Sequence, residues 1–284
     1  MSTKIIETPR DAMQGISQFI PTQKKIAYLN ALLEVGFDEM DYSSFVSPRA
    51  IPQLADSAQV ISKLKIQNTQ TKIMATIGNI GGAKRALSHT GIDAVAFPFS
   101  ISEIFLQKNI RSNFDHGTQT IKDILSLCQA KNKELVLYIA MAFGNPYGDD
   151  WSVSILNDWT YRLQQMGVKT IILADTTGEG TTKGISESFA MLKRDFPALE
   201  TGVHLHTTPD DWHEKVSASY EAGCRRFDTA LGGFGGCPMS GKKLIGNLST
   251  ENLLMFLEQQ GESLSINKEA FQKAQTLAAF TFSH

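Results

Sequence analysis

Short apolar runs of strand period alternate with longer stretches of helical period along nearly the whole chain. The run Lys4-Ile5-Ile6-Glu7-Thr8 predicts a first strand that ends in Pro9-Arg10-Asp11. A helix is expected over about 21–35, because Pro21 suits a first helical turn and Gly36 stands where a terminating glycine belongs. A second strand is expected at 39–45, then a loop and a helix within 48–65. A third strand at 72–77 leads to a helix at 83–88 that stops at Gly91. A fourth strand at 94–99 precedes a long helix at 114–131. The fifth, at 134–142, is the clearest β run, and a helix at 154–166 follows it. The sixth strand is expected at 170–174, with a helix after Gly184. The seventh is expected at 202–206 with a helix at 210–221, and the eighth at 226–230 with a helix at 250–259.

Strand and helix in alternation imply a parallel sheet, since parallel neighbours need crossover helices. Eight such units are the number that closes a (β/α)8 TIM barrel. The expectation is therefore an α/β chain with one catalytic barrel over residues 1–284 and a short C-terminal helical extension. An open doubly wound sheet is the alternative. Its dinucleotide-binding version is weakened because no GxGxxG follows the first strand.

In a barrel, chemistry sits at the C-terminal ends of the strands. Arg10 and Asp11 fall there on the first strand, Asp41 on the second, Asp175 on the sixth, and His204 and His206 on the seventh. The eighth runs into Gly232-Gly233-Phe234-Gly235-Gly236-Cys237. Residues two apart on a strand point the same way, so His204 and His206 can hold one metal between them, with Asp11 adding an oxygen. The plainer reading is a pair of hydrogen-bonded core histidines. Asp41 and Asp175 read either as carboxylates that orient a ligand or as strand-end caps. Arg10 beside Asp11 reads as a salt bridge in its plainer form. Cys237 lies among glycines that let backbone approach a ligand closely, whereas Cys128 and Cys224 fall in packing positions.

The 284 residues suit one barrel. With 27 basic and 29 acidic side chains the net charge is −2, which argues against nucleic acid as the main partner. No apolar run approaches the roughly 18 residues of a membrane span. No apolar stretch of a secretory signal follows Met1, so a cytoplasmic protein is expected. Three cysteines without a CxxC pair fit reduced thiols rather than a disulfide framework.

Several short motifs follow one another in a fixed order: Pro9-Arg10-Asp11, Ser44-Phe45-Val46-Ser47-Pro48, Asp175-Thr176-Thr177-Gly178, His204-Leu205-His206, Gly235-Gly236-Cys237-Pro238 and Gly246-Asn247. In these the chain resembles the 3-hydroxy-3-methylglutaryl-CoA lyases, over about 7–258. The resemblance implies a divalent cation, Mg²⁺ or Mn²⁺, on Asp11, His204, His206 and Asn247. It implies an acyl-CoA substrate split to acetyl-CoA and acetoacetate, as in leucine breakdown or ketone-body formation. Arg10 would stabilise enolate charge and Cys237 would protonate the enolate, with Asp41, Asp175 and Gln14 matching other polar positions of that site. Arg49, Lys108, Lys242 and Lys243 are candidates for the coenzyme A phosphates, and a homodimer is expected by the same resemblance. The chain departs from the family in Asp41 for glutamate, in Thr207 for aspartate, and in Gly15-Ile16 for Asn-Glu. The stretch from Cys237 to Asn247 is one residue longer and reads as a lid. A related condensing synthase or oxo-acid aldolase, and a barrel that binds metal without catalysis, are the competing functions.

Overall fold

A computed structural model describes residues 2–236 and 245–282. The strands are β1 (Lys4–Glu7), β2 (Glu39–Ser44), β3 (Lys72–Thr76), β4 (Ala94–Ser100), β5 (Glu134–Ala140), β6 (Thr170–Ala174), β7 (Glu200–His204) and β8 (Arg226–Thr229). The helices are α1 (Pro9–Gln14), α2 (Thr22–Val35), α3 (Ser57–Ile61), α4 (Ile80–Ala86), α5 (Glu103–Ile110), α6 (Phe114–Lys131), α7 (Val153–Gln165), α8 (Thr182–Asp195), α9 (Trp212–Glu221), α10 (Thr250–Gln259) and α11 (Lys268–Phe282). The strands pair in parallel in sequence order, and β1 closes on β8 with Lys4 opposite Arg226, so the fold is the expected (β/α)8 barrel and not an open sheet.

Local chemistry explains the helix ends. Asn79, Ser102, Asn113, Ser152, Thr181 and Ser249 each accept a backbone N–H of the first turn of the helix they precede. Gly36 adopts φ 92° after α2, a conformation that glycine takes without a Cβ penalty. The main departures from the expected elements are short. Arg10 and Asp11 stand in α1, not at a strand end, because Pro9 occupies the first helical position. Strand β7 ends at His204, so His206 lies two residues past it. Helix α4 begins at Ile80, three residues before the expected start, with Asn79 as its cap.

Apolar side chains fill two layers. A small cluster inside the barrel contains Ile6, Met74, Ala94, Ala96, Val136, Tyr138 and Ile172. A larger one, including Leu29, Leu32, Phe97, Ile121, Phe189 and Phe227, lies mostly between strands and helices. The interior cluster is bounded by charge at both ends. At the N-terminal end Arg226 donates to both Glu39 oxygens at 2.7 Å and to Glu200 at 2.9 Å, and Lys4 also reaches Glu200. Gly202 on β7 leaves room for this guanidinium stem, since a Cβ there would lie 2.8 Å from Arg226 Cγ. Arg226→Ala strands Glu39, a buried carboxylate, without its partner. The expected loss is about 3–5 kcal/mol in denaturant unfolding, and a loss below about 1 kcal/mol would show that the pair contributes little.

Candidate active site

The C-terminal end of the barrel gathers the polar side chains. In α1, Arg10 and Gln14 stand four apart and Asp11 and Gln14 three apart, so all three meet on adjoining faces. Arg10 Nη1 donates to Asp11 Oδ1 at 2.7 Å and to Gln14 Oε1 at 3.1 Å, while Gln14 Nε2 donates to Asp11 Oδ1 at 2.5 Å. Arg10 Nε donates to Asp41 Oδ2 at 2.7 Å, and Thr76 Oγ1 donates to the same oxygen at 3.0 Å. Asp41 sits where the register of β2 against β3 shifts, a local irregularity that re-aims side chains.

The two histidines are held by different partners. His204 Nδ1 lies 3.1 Å from Asp228 Oδ2, which also accepts the Tyr138 hydroxyl at 2.6 Å. His206 Nδ1 lies 3.0 Å from the Thr176 carbonyl. A carbonyl can only accept, so the hydrogen of neutral His206 sits on Nδ1 and its Nε2 keeps a lone pair. Asp228 fixes His204 in the same sense. This is how metal-binding imidazoles are usually oriented. Asn247 faces His206 across an antiparallel bridge. Its Nδ2 donates to Asp11 Oδ2 at 2.8 Å and to the Phe234 carbonyl at 2.7 Å, which turns Oδ1 the other way.

Ligand atoms of Asp11, His204 and His206 lie within 4.8 Å of one another, and all three residues are buried. His206 Nε2 and Asn247 Oδ1 are buried without a hydrogen-bond partner among the described residues. Unpaired buried acceptors are costly. The His206 acceptor with a carboxylate and a second imidazole makes a mixed N/O set that fits a divalent cation, and Asn247 Oδ1 is a further unpaired oxygen on the residue bridged to His206.

Electrostatics agree with that use. Burial pushes the Asp11 carboxyl up, but Arg10, the two histidines and Asn247 outweigh it and hold the group well below the usual carboxylate range. Burial, with repulsion from His204, pulls His206 down to about 4, so its imidazole is neutral near pH 7. For His204 burial opposes charge, yet the Asp228 and Asp11 carboxylates raise its pKa, so a cation there competes with a proton. Burial also opposes charge on Arg10, but Asp41 and Asp11 keep it protonated. Asp41 is pushed up by burial in spite of Arg10.

The other expected residues are placed as follows. Asp175 turns away from this cluster: Oδ1 accepts Gly180 N at 2.9 Å and Oδ2 accepts Lys215 Nζ at 2.9 Å. Both oxygens are thus engaged by the turn after β6 and by α9, and among the described residues neither is bonded to Asp11, His204 or His206. Arg49 is exposed in the loop after β2. Lys108 is exposed on α5, with its ammonium 4.2 Å from the Tyr147 ring centroid. Cys237, Lys242 and Lys243, with the expected lid, lie outside the described residues. The segments flanking them are fixed to Asp11: Gly236 N donates to Oδ2 at 3.2 Å, as Asn247 does from the other side. Gly235 has φ 102°, and a Cβ there would fall 2.7 Å from the Asp11 carbonyl oxygen, so a larger residue does not fit. Cys128 and Cys224 are buried packing residues, as expected, and burial pushes their thiols up to about 11 and about 12.

Sequence reading missed Tyr138, Asp228, Thr176 and Lys215. A signal existed for one of them. In Arg226-Phe227-Asp228 two charged residues share one side of a short strand, and such residues need partners inside the barrel.

Comparison with known proteins agrees with this geometry. Bovine mitochondrial hydroxymethylglutaryl-CoA lyase is 30% identical over 273 residues, covering 95% of this chain and 83% of that protein. The rat cytoplasmic 3-hydroxy-3-methylglutaryl-CoA lyase is 28% identical over 272 residues, covering 95% of this chain and 78% of that protein. An HMG-CoA lyase structure from Acinetobacter baumannii, in complex with coenzyme A and 3-methylmalate, superposes with a TM-score of 0.91. It is 29% identical and covers 100% of this chain and 92% of that one. The family model described as HMGL-like matches residues 3–278. By sequence, fold and site together, the chain belongs to the HMGL-like family.

Proposed function

We propose that this protein is a divalent-metal-dependent carbon–carbon lyase that cleaves 3-hydroxy-3-methylglutaryl-CoA to acetyl-CoA and acetoacetate. The observation that carries the reading is the gathering of Asp11, His204 and His206 beside an arginine, with His206 Nε2, and Asn247 Oδ1 on the residue bridged to it, buried and without a partner among the described residues. A Mg²⁺ or Mn²⁺ held by Asp11, His204, His206 and Asn247 would supply Lewis acidity and a template for the substrate oxygens. Loss of the tertiary hydroxyl proton lets the C2–C3 bond break, with its electrons passing to the thioester as an enolate. Arg10 meets that charge. Its Nε and Nη1 are taken by Asp41, Asp11 and Gln14, and among the described residues Nη2 donates to none, so one N–H edge is left available. Cys237 protonates the enolate carbon as general acid. It directly follows Gly236, whose N–H is bonded to Asp11. Asp41 and Gln14 hold Arg10 and Asp11 in register. Arg49, Lys108, Lys242 and Lys243 offer positive charge to the coenzyme A phosphates.

The test is cleavage of 3-hydroxy-3-methylglutaryl-CoA by metal-stripped protein, with and without added Mg²⁺ or Mn²⁺. Release of acetyl-CoA and acetoacetate only with metal is the expected result. Intact, metal-loaded protein that releases neither product would move the assignment to another acyl-CoA or oxo acid, with Asp41 and Thr207 the first positions to examine.

A further inference from the structure

Lys215 is a charged residue that the proposed chemistry does not use, yet it is 3% exposed. Burying an ammonium is costly unless its hydrogens are all taken. Here Nζ lies 2.7 Å from the Gly178 carbonyl, 3.0 Å from the His206 carbonyl, 2.9 Å from Asp175 Oδ2 and 3.1 Å from Asp211 Oδ2. These acceptors come from three places: the turn after β6, the segment beyond β7, and the start of α9. The last backbone bond between the two strand ends is Asp175 N to the His204 carbonyl. Beyond it, the segment carrying His206 and the turn carrying Thr176 are no longer joined by sheet pairing. Thr176 O fixes the His206 ring, and Asp175 and Gly178, which flank Thr176-Thr177 on that turn, are both gripped by Lys215.

We infer that Lys215 is a positioning residue for the metal site: by clamping the His206 carbonyl to the turn after β6, its ammonium keeps Thr176 O on His206 Nδ1 and so keeps Nε2 turned toward Asp11 and His204. Asp175 acts through the same clamp, as the carboxylate that holds the ammonium in place. This inference rests on the reading of the cluster as a metal site, and two measurements separate the two ideas.

The first is Mn²⁺ affinity of metal-stripped protein, followed by calorimetry or by the signal of free Mn²⁺. Lys215→Met removes every donor while keeping the stem. It is expected to weaken binding about 10- to 100-fold, the usual size of an outer-shell loss, with turnover recovering at saturating Mn²⁺. Arg226→Met, which disturbs the opposite end of the barrel, is expected to lower stability and leave Mn²⁺ affinity unchanged. The second measurement is the imidazole nitrogen spectrum of metal-free protein. In wild type His206 carries its hydrogen on Nδ1, and in Lys215→Met that signal is expected to divide between Nδ1 and Nε2. If Lys215→Met does not fold, the neutral pair Lys215→Met with Asp175→Asn is measured in the same way. Affinity within about twofold of wild type, together with an unchanged His206 tautomer, overturns the inference. Should wild type bind no Mn²⁺, the metal reading fails, and the tautomer still decides whether Lys215 positions the ring.

Discussion

Arg10→Met keeps the metal and loses turnover, by about 10²–10³-fold in kcat. Metal binding survives because Asp11 remains bonded to Gln14, Gly236 N and Asn247 when the guanidinium is gone. Turnover falls because the N–H edge that has no partner among the described residues is lost, and with it a group that can meet charge developing during the reaction. Asp41 loses its cationic partner in the same step. Burial already pushes its pKa up, so the carboxyl takes a proton instead of standing as an isolated charge. The damage to folding is therefore modest. Steady-state kinetics with Mn²⁺ titration makes the check. A fall in kcat at unchanged Mn²⁺ affinity supports the role of Arg10, whereas a loss of affinity with kcat preserved at saturation would make Arg10 a support for Asp11 alone.

Glu7→Gln is expected to flatten the dependence of stability on pH. The carboxyl of Glu7 is fully buried, with Leu231 N on one oxygen at 2.8 Å and the Thr250 hydroxyl on the other at 2.6 Å. Burial is the largest influence and lifts its pKa from 4.5 to about 8, against the two hydrogen bonds. The native chain then holds a proton that the unfolded chain has lost throughout that window. Stability must fall as pH rises from about 4.5 to about 8. The total contribution is on the order of 5 kcal/mol. Glutamine keeps an acceptor for Leu231 N and a donor for Thr250, and carries no charge at any pH. Unfolding midpoints from pH 5 to pH 9 should converge at the acid end and separate in favour of Glu7→Gln at the alkaline end. Parallel curves would show that Glu7 stays ionised in the folded chain. Glu7 bonds to both ends of the segment that carries Gly235 and Asn247, so the same variant should hold that segment at alkaline pH.

The barrel was legible because each βα unit carries its own signal. Long periodic helices such as α6 and α10 fall where the pattern puts them, at 114–131 and 250–259. Short elements were not legible. Six residues of α1 make less than two turns, so no period emerges, and Pro9 reads equally as a turn. Helix α5 hides close behind the strongly apolar β4, although Ser102 before Glu103 was a cap signal for it. In the site, His204 and His206 were visible as a two-residue spacing, since strand alternation is local. Asn247 was not, because its nearness to His206 comes from a bridge across about 40 residues of chain. Tyr138 reads as an ordinary core residue of β5 until its hydroxyl is seen to donate to the same Asp228 oxygen that holds His204. Asp175 was found, but its bond to Lys215 was not, since that depends on a helix 40 residues further along the chain.

On β2 and β8 the two ends of the barrel are separated by only one step of strand period. Glu39 belongs to the Arg226 pair and Asp41 to Arg10, while Arg226 and Asp228 divide β8 in the same way. The anchoring network and the chemical one therefore use the same strands without sharing a side chain. For protein engineering this makes the mouth an open field. Residues 15, 16 and 207, which the family resemblance leads one to expect as departures, can be varied in combinatorial libraries for new acyl substrates, while Arg226, Glu39 and Glu200 are left untouched as a reserve of thermal tolerance for the variants.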